Sequence, residues 1–268
     1  MRFYRYLDKL NYVVLWIFNI LSNIYFFIRI DKRKMIKKNH ELKKRNDTCY
    51  IICNGPSLNK TDIMKIQDAD TITVNFFYKG DKYKEFESDF HIAIDDAFYS
   101  DDNLIYLNEI LKMKKTTKLV IKQRALHLFE GNKRVYGTYA KQIQYGDKVC
   151  FNLLKNMTAP INVSIMAVQL ALSLEYKKIY LLGVDFSEFV LKNGKTEHFY
   201  SEDDHEDEVL RKGDELRWFS IAYAHHYALY AYAKKHGVEI YNATPDTYLD
   251  AYPYANYDEI INTRRNKK

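Results

Sequence analysis

The stretch CYIICNGPS at residues 49–57 joins a short apolar run to a tight Gly-Pro turn. An apolar run of this length that ends at turn residues predicts a buried β-strand. Similar runs recur at residues 71–75, 90–95, 118–122, 178–184 and 238–241, and helical patterns lie near residues 60–67, 103–113, 161–174 and 214–236. Apolar strands that alternate with helices predict an α/β fold, namely a Rossmann-like, mainly parallel sheet with helices on both faces.

The length and composition are those of a globular protein. The chain has 268 residues, of which 47% are hydrophobic and 28% charged, with a formal net charge of +6. These values argue against disorder, and the low counts of Gly (9) and Pro (4) exclude collagen-like and Pro-rich architectures. Cys49, Cys53 and Cys150 lack the spacing of a metal site, so we expect buried thiols in a reducing compartment. Residues 124–158 show no pattern that assigns a structure.

The N-terminal segment predicts membrane association. Residues 11–28 carry no charged side chain. The stretch that follows is basic and contains Arg29, Lys32, Arg33, Lys34, Lys37, Lys38, Lys43, Lys44 and Arg45. An apolar helix beside such a cluster favours anionic lipid headgroups and the cytoplasmic face of the inner or plasma membrane. The alternative is a core helix followed by a solvated linker.

Two membrane arrangements are open for this segment. If it is helical, five polar residues share one face: Asp8, Asn11, Asn19, Ser22 and Asn23. The helix therefore either spans the membrane or lies flat in the interface. We divide the chain into a membrane-associated helix and basic linker at residues 1–46, which meets the membrane through residues 1–45, and a Rossmann-like domain at residues 47–268.

Polar residues follow three of the predicted strands. Asn54, Gly55, Pro56 and Ser57 form the turn after the first strand, Asn75 ends the second, and Asp185 follows the run at 178–184. Ligands of parallel sheets bind at the carboxyl ends of strands, and Gly lets a phosphate or ribose approach the backbone. The turn is neither G-x-G-x-x-G nor a Walker loop, which weighs against NAD and ATP. The structural alternative is a set of turn and cap residues.

Two carboxylates, Asp95 and Asp96, end the third predicted strand. They suggest an alternative Mg²⁺ or Mn²⁺ site that would hold a diphosphate, although adjacent strand residues point to opposite faces.

Two histidines lie in the acidic loop EHFYSEDDH at residues 197–205. His198 and His205 are candidate general bases because imidazole takes a proton near neutral pH. The irregular spacing without cysteine argues against zinc. His225 and His226 lie in a predicted helix among Ala and Tyr, where packing or hydrogen bonding is the expected role.

These motifs together resemble a known group of enzymes. The turn at 54–58, NFFY at 75–78, a buried helix with Ser164, and YLLGVDF at 180–186 resemble the bacterial lipooligosaccharide sialyltransferases of glycosyltransferase family forty-two. The tail IYNATP at 240–245, with Leu249, Tyr252 and Pro253, resembles the wider 6-hydroxymethylpterin diphosphokinase-like superfamily of surface-polysaccharide proteins. The resemblance covers about residues 48–262.

The resemblance implies roles for individual residues. Asn54 and Gly55 would hold the CMP part of the donor, and Asn75 would approach its phosphate and sugar. Ser164 and Phe186 would line the cytidine pocket. The family's base implies His198 or His205 here. A CMP donor needs no metal, so no cofactor is expected.

The chain departs from the family pattern at three places. Ser187 stands where the family has a Tyr that supports the leaving phosphate, and Tyr200 is a candidate substitute. Asp95 and Asp96 stand where the family has Tyr-Asn, which bears on the identity of the donor. The spacing of the two loop histidines also differs, so the choice of base stays open.

The sequence therefore predicts a membrane-associated glycosyltransferase of surface polysaccharide or lipooligosaccharide synthesis. It would transfer sialic acid or a related acidic sugar from a CMP donor to a glycan or lipid-linked acceptor, with inversion and a His base. We expect no nucleic-acid partner and leave a homo-oligomer open. The alternatives are a metal-dependent enzyme of diphosphate chemistry, either a nucleoside-diphosphate sugar transferase or a diphosphokinase, and a non-catalytic membrane-tethered scaffold.

Overall fold

A computed structural model describes residues 2–29, 31–190, 198–199 and 211–266. The α-helices are α1 (Arg2–Ile28), α2 (Asp31–Asn39), α3 (Asp101–Met113), α4 (Val163–Ser173), α5 (Lys212–Lys235) and α6 (Tyr257–Arg265). The strands are β1 (Thr48–Ile52), β2 (Asp70–Val74), β3 (Phe90–Ala93), β4 (Lys118–Lys122), β5 (Val135–Thr138), β6 (Ala140–Gln142), β7 (Met157–Thr158), β8 (Lys178–Leu182) and β9 (Glu239–Asn242). Short 3-10 helices occupy Pro56–Lys60, Ile63–Ile66, Phe77–Lys79, Asp81–Tyr83, Asp96–Tyr99, Gln123–Phe129 and Glu188–Val190.

Seven of the strands form one parallel sheet in the order β5-β4-β3-β2-β1-β8-β9. Ile51 in the middle of β1 lies opposite Ile72 of β2 and Leu181 of β8. From β1 the sheet grows in one direction to β5, and the chain then returns to add β8 and β9 on the other side of β1. The switch point between β1 and β8 opens a crevice at their carboxyl ends, which is where sheets of this kind bind ligands.

Hydrophobic layers cover both faces of the sheet, as the predicted Rossmann-like α/β fold requires. Successive β1 residues alternate between the two layers, with Ile51 on the side of α4 and Ile52 on the opposite side. Helix α4 is buried over every residue from Ser164 to Leu172. The fold class predicted from the sequence is confirmed. It was predictable because a strand that is buried on both faces has a continuous apolar sequence.

Three parts of the secondary structure differ from the sequence-based expectation. Residues 60–67 do not form the expected α-helix. They contain the short 3-10 helix Ile63–Ile66, because Asp62 leaves helical geometry and its carboxylate accepts the amide of Met64 at 3.2 Å. The unassigned residues 124–158 contain β5, β6 and β7. Helix α6 was not expected, and Asn256 caps it by accepting the amides of Asp258 and Glu259.

Helix α1 turns its polar side towards the domain and its apolar side outwards. Asn19 exchanges two hydrogen bonds with the backbone of Ile143, at 2.9 and 2.8 Å. The side chain of Asn156 donates to Ser22 and Asn23 at 2.8 and 3.1 Å. Large apolar side chains such as Phe27, 74% exposed, face away from the domain. The segment Lys9–Ile28 is long and apolar enough to cross a membrane. A signal sequence or the core helix of a soluble protein would meet the same criterion of length and composition.

Candidate functional site

The turn after β1 is held against the end of β8 by a carboxylate. Asp185 accepts hydrogen bonds from the backbone amide of Ser57 at 3.1 Å and from its hydroxyl at 2.7 Å. The amide of Gly55 donates to the carbonyl of Gly183 at 2.9 Å. A Cβ atom on Gly55 would lie 1.8 Å from Oδ2 of Asp185 and 2.7 Å from that carbonyl, so only glycine fits. Asp185 and Ser57 therefore fix the shape of the turn.

A second clamp holds the strand end at Val184–Phe186. The hydroxyl of Thr247 donates to the carbonyl of Val184 at 2.6 Å, and the amide of Val184 donates to the hydroxyl of Thr244 at 3.0 Å. The amide of Tyr248 donates to the carbonyl of Asp185 at 2.8 Å. The loop after β9 thus holds the backbone of Val184 and Asp185 in place through three hydrogen bonds.

Left-handed backbone geometry marks two residues at these strand ends. Phe186 has a φ of 55° and Asn75 a φ of 48°. Asn tolerates this region, but it is strained for a bulky residue such as Phe. Such strain persists where the surrounding structure imposes it, and it concentrates at ligand sites. The ring of Phe186 packs edge-on against Phe219, Tyr223 and His226.

Two asparagines offer hydrogen-bond acceptors at the crevice. The side-chain amide of Asn54 donates to the carbonyl of Val74 at 3.2 Å, which ties the β1 turn to the end of β2. The side-chain oxygens of Asn54 and Asn75 are buried and have no partner among the described residues. A buried acceptor without a partner is costly. Hydroxyl or amino groups of a ligand would satisfy both.

His198 lies beside the β1 turn because its neighbour is anchored there. The amide of Phe199 donates to the carbonyl of Asn54 at 3.0 Å. The ring of Phe199 packs against Phe77 and Tyr83, with centroids 5.8 and 5.4 Å away. His198 itself is half-buried and lines the same cavity as Asn54. The sequence analysis did not predict that Phe199 anchors this segment. Its position directly after the candidate base was the one feature of the sequence that could have indicated this role.

Ser164 belongs to a buried chain of hydrogen bonds behind the crevice. Its hydroxyl donates to the side-chain oxygen of Asn162 at 2.8 Å, and it lies 3.1 Å from Nε2 of His226. Nδ1 of His226 lies 2.8 Å from the hydroxyl of Tyr252. Burial, with a smaller contribution from His225, lowers the pKa of His226 to about 3. The neutral ring therefore donates from Nε2 to Ser164 and accepts from Tyr252 at Nδ1, which fixes the orientation of Ser164.

His225, the neighbour of His226 in α5, also takes part in a buried hydrogen-bond chain. Nε2 of His225 lies 3.2 Å from the side-chain amide of Gln169, and that amide also donates to the carbonyl of Thr158 at 3.0 Å. The packing and hydrogen-bonding role expected for His225 and His226 is confirmed.

Most of the predicted ligand-binding residues meet in one cavity of about 140 Å³ at the switch point. The predicted residues that line it are Asn54, Gly55, Pro56, Asn75, Ser164, Asp185, Phe186 and His198. Ser57 is buried beneath the turn. Two further predicted residues, Tyr200 and His205, lie outside the described residues. Asn162 and Glu188 also line the cavity and were not predicted.

A larger cavity of about 530 Å³ adjoins the first. Asn75, Asn162 and Val163 line both cavities, so the two form one cleft. The N-terminus of α4, capped by Asn162, lies where the two cavities meet, because Asn162 and Val163 line both. The backbone amides and dipole of a helix N-terminus favour an anion at that point.

The carboxylates proposed for the alternative metal site are already engaged. Asp95 caps a 3-10 helix by accepting the amide of Ala97 at 3.0 Å. Asp96 pairs with Lys122 at 2.5 Å and with Arg124, and these cations lower its pKa against the opposing effect of burial. Within the described residues no group of three or more His, Cys, Asp or Glu side chains could hold a metal ion. The donor set at Asp95 and Asp96 does not fit a divalent cation.

The fold and site define an α/β protein whose ligand cleft lies at the switch point of a parallel sheet. The 6-hydroxymethylpterin diphosphokinase MptE-like family matches residues 18–189, and the chain belongs to this family. This confirms the wider resemblance predicted from the sequence. No curated protein matches the chain significantly.

Solved structures share the fold at low sequence identity. The sialyltransferase CstII from Campylobacter jejuni, solved with cytidine-5'-monophosphate, is 16% identical with a TM-score of 0.51, and the match covers 81% of this chain and 89% of that one. The sialyltransferase CST-II in complex with a trisaccharide acceptor and CMP is 16% identical with a TM-score of 0.50, over 77% and 84% of the two chains. The predicted structural resemblance is thus confirmed for the fold.

Proposed function

We propose that this protein is a membrane-associated glycosyltransferase that transfers sialic acid or a related acidic sugar from a CMP donor to a glycan acceptor, with inversion. One observation carries the proposal. Residues that are far apart along the chain, Asn54, Asn75, Ser164, Phe186 and His198, line a single cavity at the sheet's switch point. The fold shared with CMP-bound sialyltransferases supports the same function.

The donor nucleotide would occupy the smaller cavity. The unpartnered oxygens of Asn54 and Asn75 would accept hydrogen bonds from its hydroxyl or amino groups. Ser164 would contribute an oriented hydroxyl, and Phe186 an apolar wall. The phosphate would lie near the N-terminus of α4, where backbone amides stabilise negative charge without a metal.

His198 would act as the general base. Its imidazole would take the proton of the acceptor hydroxyl as the oxygen bonds to the anomeric carbon, while the carbon–oxygen bond to the phosphate breaks and CMP leaves. The anchoring of Phe199 to the β1 turn supports this placement of His198 at the donor cavity. His205 stays an alternative base that lies outside the described residues.

The acceptor would bind in the larger cavity. Lys122, Arg124 and Lys141 line it together with Asp95 and Asp96, so its walls carry an excess of positive charge. These cations suit an acceptor with carboxylate or phosphate groups. Because Asn75 and Asn162 line both cavities, an acceptor hydroxyl could reach the donor from this side.

Residues 1–46 would attach the enzyme to the membrane, and residues 47–268 would form the catalytic domain. Since Asn19, Ser22 and Asn23 bind the domain, we propose that α1 lies flat in the interface with its apolar side in the lipid. The basic residues of α2 and the following linker would contact anionic headgroups on the cytoplasmic face. Full-length protein should float with anionic vesicles, and protein that stays in the soluble fraction would contradict this arrangement.

A nucleotide panel tests the proposed function. Calorimetry with CMP, CDP, UDP and GDP should give binding for CMP in the presence of EDTA. Binding of no nucleotide would leave a scaffold role, and preference for a diphosphate that requires metal would support the second candidate.

The second candidate is diphosphate transfer, which the family match favours. The family description names a 6-hydroxymethylpterin diphosphokinase. This function would need Mg²⁺ or Mn²⁺ near the phosphates, whereas Asp96 is neutralised by two cations. Turnover of ATP with 6-hydroxymethylpterin that EDTA abolishes would support it, and its absence beside CMP binding would remove it.

A further inference from the structure

A half-buried glutamate lines the proposed donor cavity and has no role in the function described above. Glu188 begins the 3-10 helix Glu188–Val190, in the loop that follows β8. It lines the cavity together with Asn54, Asn75 and His198. Its Oε2 atom is buried, and no described residue provides a hydrogen-bond partner. One oxygen of this carboxyl group is thus shielded from solvent and left without a hydrogen-bond partner in the described part of the chain.

The charged groups around Glu188 disfavour its ionised form. The carboxylates of Asp185 and, from α5, Glu215 both act on it. Glu215 is itself paired with Lys212 at 2.8 Å. Tyr223, also on α5, interacts with the charge of Glu188, and its hydroxyl donates to the carbonyl of Tyr248 at 2.5 Å. Burial first, and then these two carboxylates, raise the pKa of Glu188 against the effect of its own backbone amide. His198, which lines the same cavity, is the proposed base.

An ionised carboxylate would repel the phosphate of a nucleotide that shares this cavity. A protonated carboxyl group would instead donate a hydrogen bond to a phosphate oxygen, because it carries an O–H donor. A bound phosphate would in turn favour the protonated form, since like charges raise the pKa of a carboxyl group.

We propose that Glu188 is the general acid of the transfer, donating its proton to the phosphate oxygen that departs from the sugar. The proposal rests on the proposed function. As the acceptor oxygen bonds to the anomeric carbon, its proton passes to His198. The electron pair of the breaking carbon–oxygen bond stays on the phosphate oxygen, which receives the proton of Glu188. Exchange with solvent then restores the neutral imidazole and the carboxyl group.

The Glu188→Gln variant tests this role because it keeps a neutral hydrogen-bond donor of the same size but cannot release a proton. CMP affinity of the variant should stay within about threefold at pH 6, while kcat falls by roughly 100-fold with the KM for the donor unchanged. In the wild type, CMP affinity and kcat should both fall as pH rises through the pKa of Glu188. The variant should lose that pH dependence of CMP affinity.

Glu215→Gln is the matched control, since Glu215 acts on Glu188 but does not line the cavity. Removal of its negative charge lowers the pKa of Glu188, so the alkaline loss of activity should begin at lower pH while activity at pH 6 is retained. A purely structural role for Glu188 would not give this shift.

The outcomes separate the two proposals. If wild-type protein binds no CMP, the proposed function fails and the role of Glu188 fails with it. If the wild type binds CMP and transfers sugar, but Glu188→Gln retains the wild-type kcat and pH profile, the role of Glu188 alone is overturned. Circular dichroism of both variants checks that the fold is retained.

Discussion

The two edges of the central sheet carry very different polar groups. At the amino edge, a cavity of about 1020 Å³ is lined by residues that include Tyr50, Lys178 and Arg264. At the carboxyl edge, the donor cavity is only about 140 Å³. Seven side chains in the described part of the chain have a buried polar atom without a partner. Three of these residues, Asn54, Asn75 and Glu188, line the small carboxyl-edge cavity. None of the seven lines the amino-edge cavity.

The amino edge is instead a set of completed contacts. Arg264 pairs with Asp68 at 2.5 Å, Lys178 pairs with Glu239 at 2.9 Å, and the ring of Tyr180 stacks between Tyr50 and Tyr241. A buried polar group without a partner costs stability, so a fold keeps one only where another requirement offsets the cost. The comparison teaches that unmet hydrogen bonds and strained backbone, rather than cavity size, distinguish the candidate site in this protein.

Replacement of the proposed base gives the largest effect that the comparison predicts. His198→Ala should reduce transfer by about 10³-fold, because no group would take the acceptor proton. The unfolding midpoint and CMP affinity should stay close to those of the wild type. His236→Ala, at the exposed C-terminal cap of α5, is the control and should leave transfer and CMP affinity unchanged. Turnover at the wild-type rate in His198→Ala would move the base to His205.

Addition of a side chain at Gly55, in the turn after β1, should have the next largest effect. The new methyl group of Gly55→Ala would lie within 2.7 Å of Asp185 and of the carbonyl of Gly183. Overpacking of this kind costs about 1–3 kcal/mol of the free energy of unfolding, and the shifted turn should weaken CMP binding at least about tenfold. Urea denaturation and calorimetry measure the two effects.

The control for this variant is Gly213→Ala, where a Cβ atom meets nothing within 4 Å. It lies in the first turn of α5, so stability should be unchanged or slightly higher. Equal CMP affinity for Gly55→Ala and the wild type would show that the turn does not form the nucleotide site.

The sequence predicts the carboxyl edge better than the regions around it. Asn54, Asn75 and Asp185 follow apolar runs that are buried on both faces, so strand ends and their loops are readable from local pattern. Glu188 and Asn162 gave no such signal, because their importance comes from burial and from neighbours distant in sequence. The polar stripe of α1 was readable, but its partner was not, since Asn19 binds the backbone of Ile143, just after β6 and 124 residues away.

The amino edge offers a substitution that should affect stability without affecting function. Asp70 accepts hydrogen bonds from the amides of Arg45 and Asn46, and from the hydroxyl of Tyr176 at 2.8 Å. Burial alone would raise the pKa of Asp70, but these hydrogen bonds bring it below its ordinary value. Asp70→Asn should therefore cost about 1–3 kcal/mol at pH 7 and leave CMP affinity unchanged.

The pH dependence of that effect has a defined sign. A carboxyl group with a lowered folded pKa contributes stability above its unfolded pKa of about 3.9, and the contribution is lost as pH falls through the folded value. The stability difference between wild type and Asp70→Asn should be constant from about pH 7 to pH 5 and shrink below about pH 4. A difference that grows on acidification would contradict the assignment, and the exposed Asp47→Asn variant serves as the control.

The smallest expected effect provides the strictest test of the comparison. Lys178 lines the large amino-edge cavity, and its ion pair with Glu239 joins side chains that are 36% and 50% exposed. Exposed pairs contribute about 0.5 kcal/mol or less after solvent screening, so Lys178→Ala should barely change the unfolding midpoint. Its CMP affinity and transfer rate should equal those of the wild type, because none of the buried unpartnered polar atoms in the described residues lines this cavity. A tenfold loss of either would place a ligand in the amino-edge cavity and reverse the conclusion that unmet hydrogen bonds mark the site.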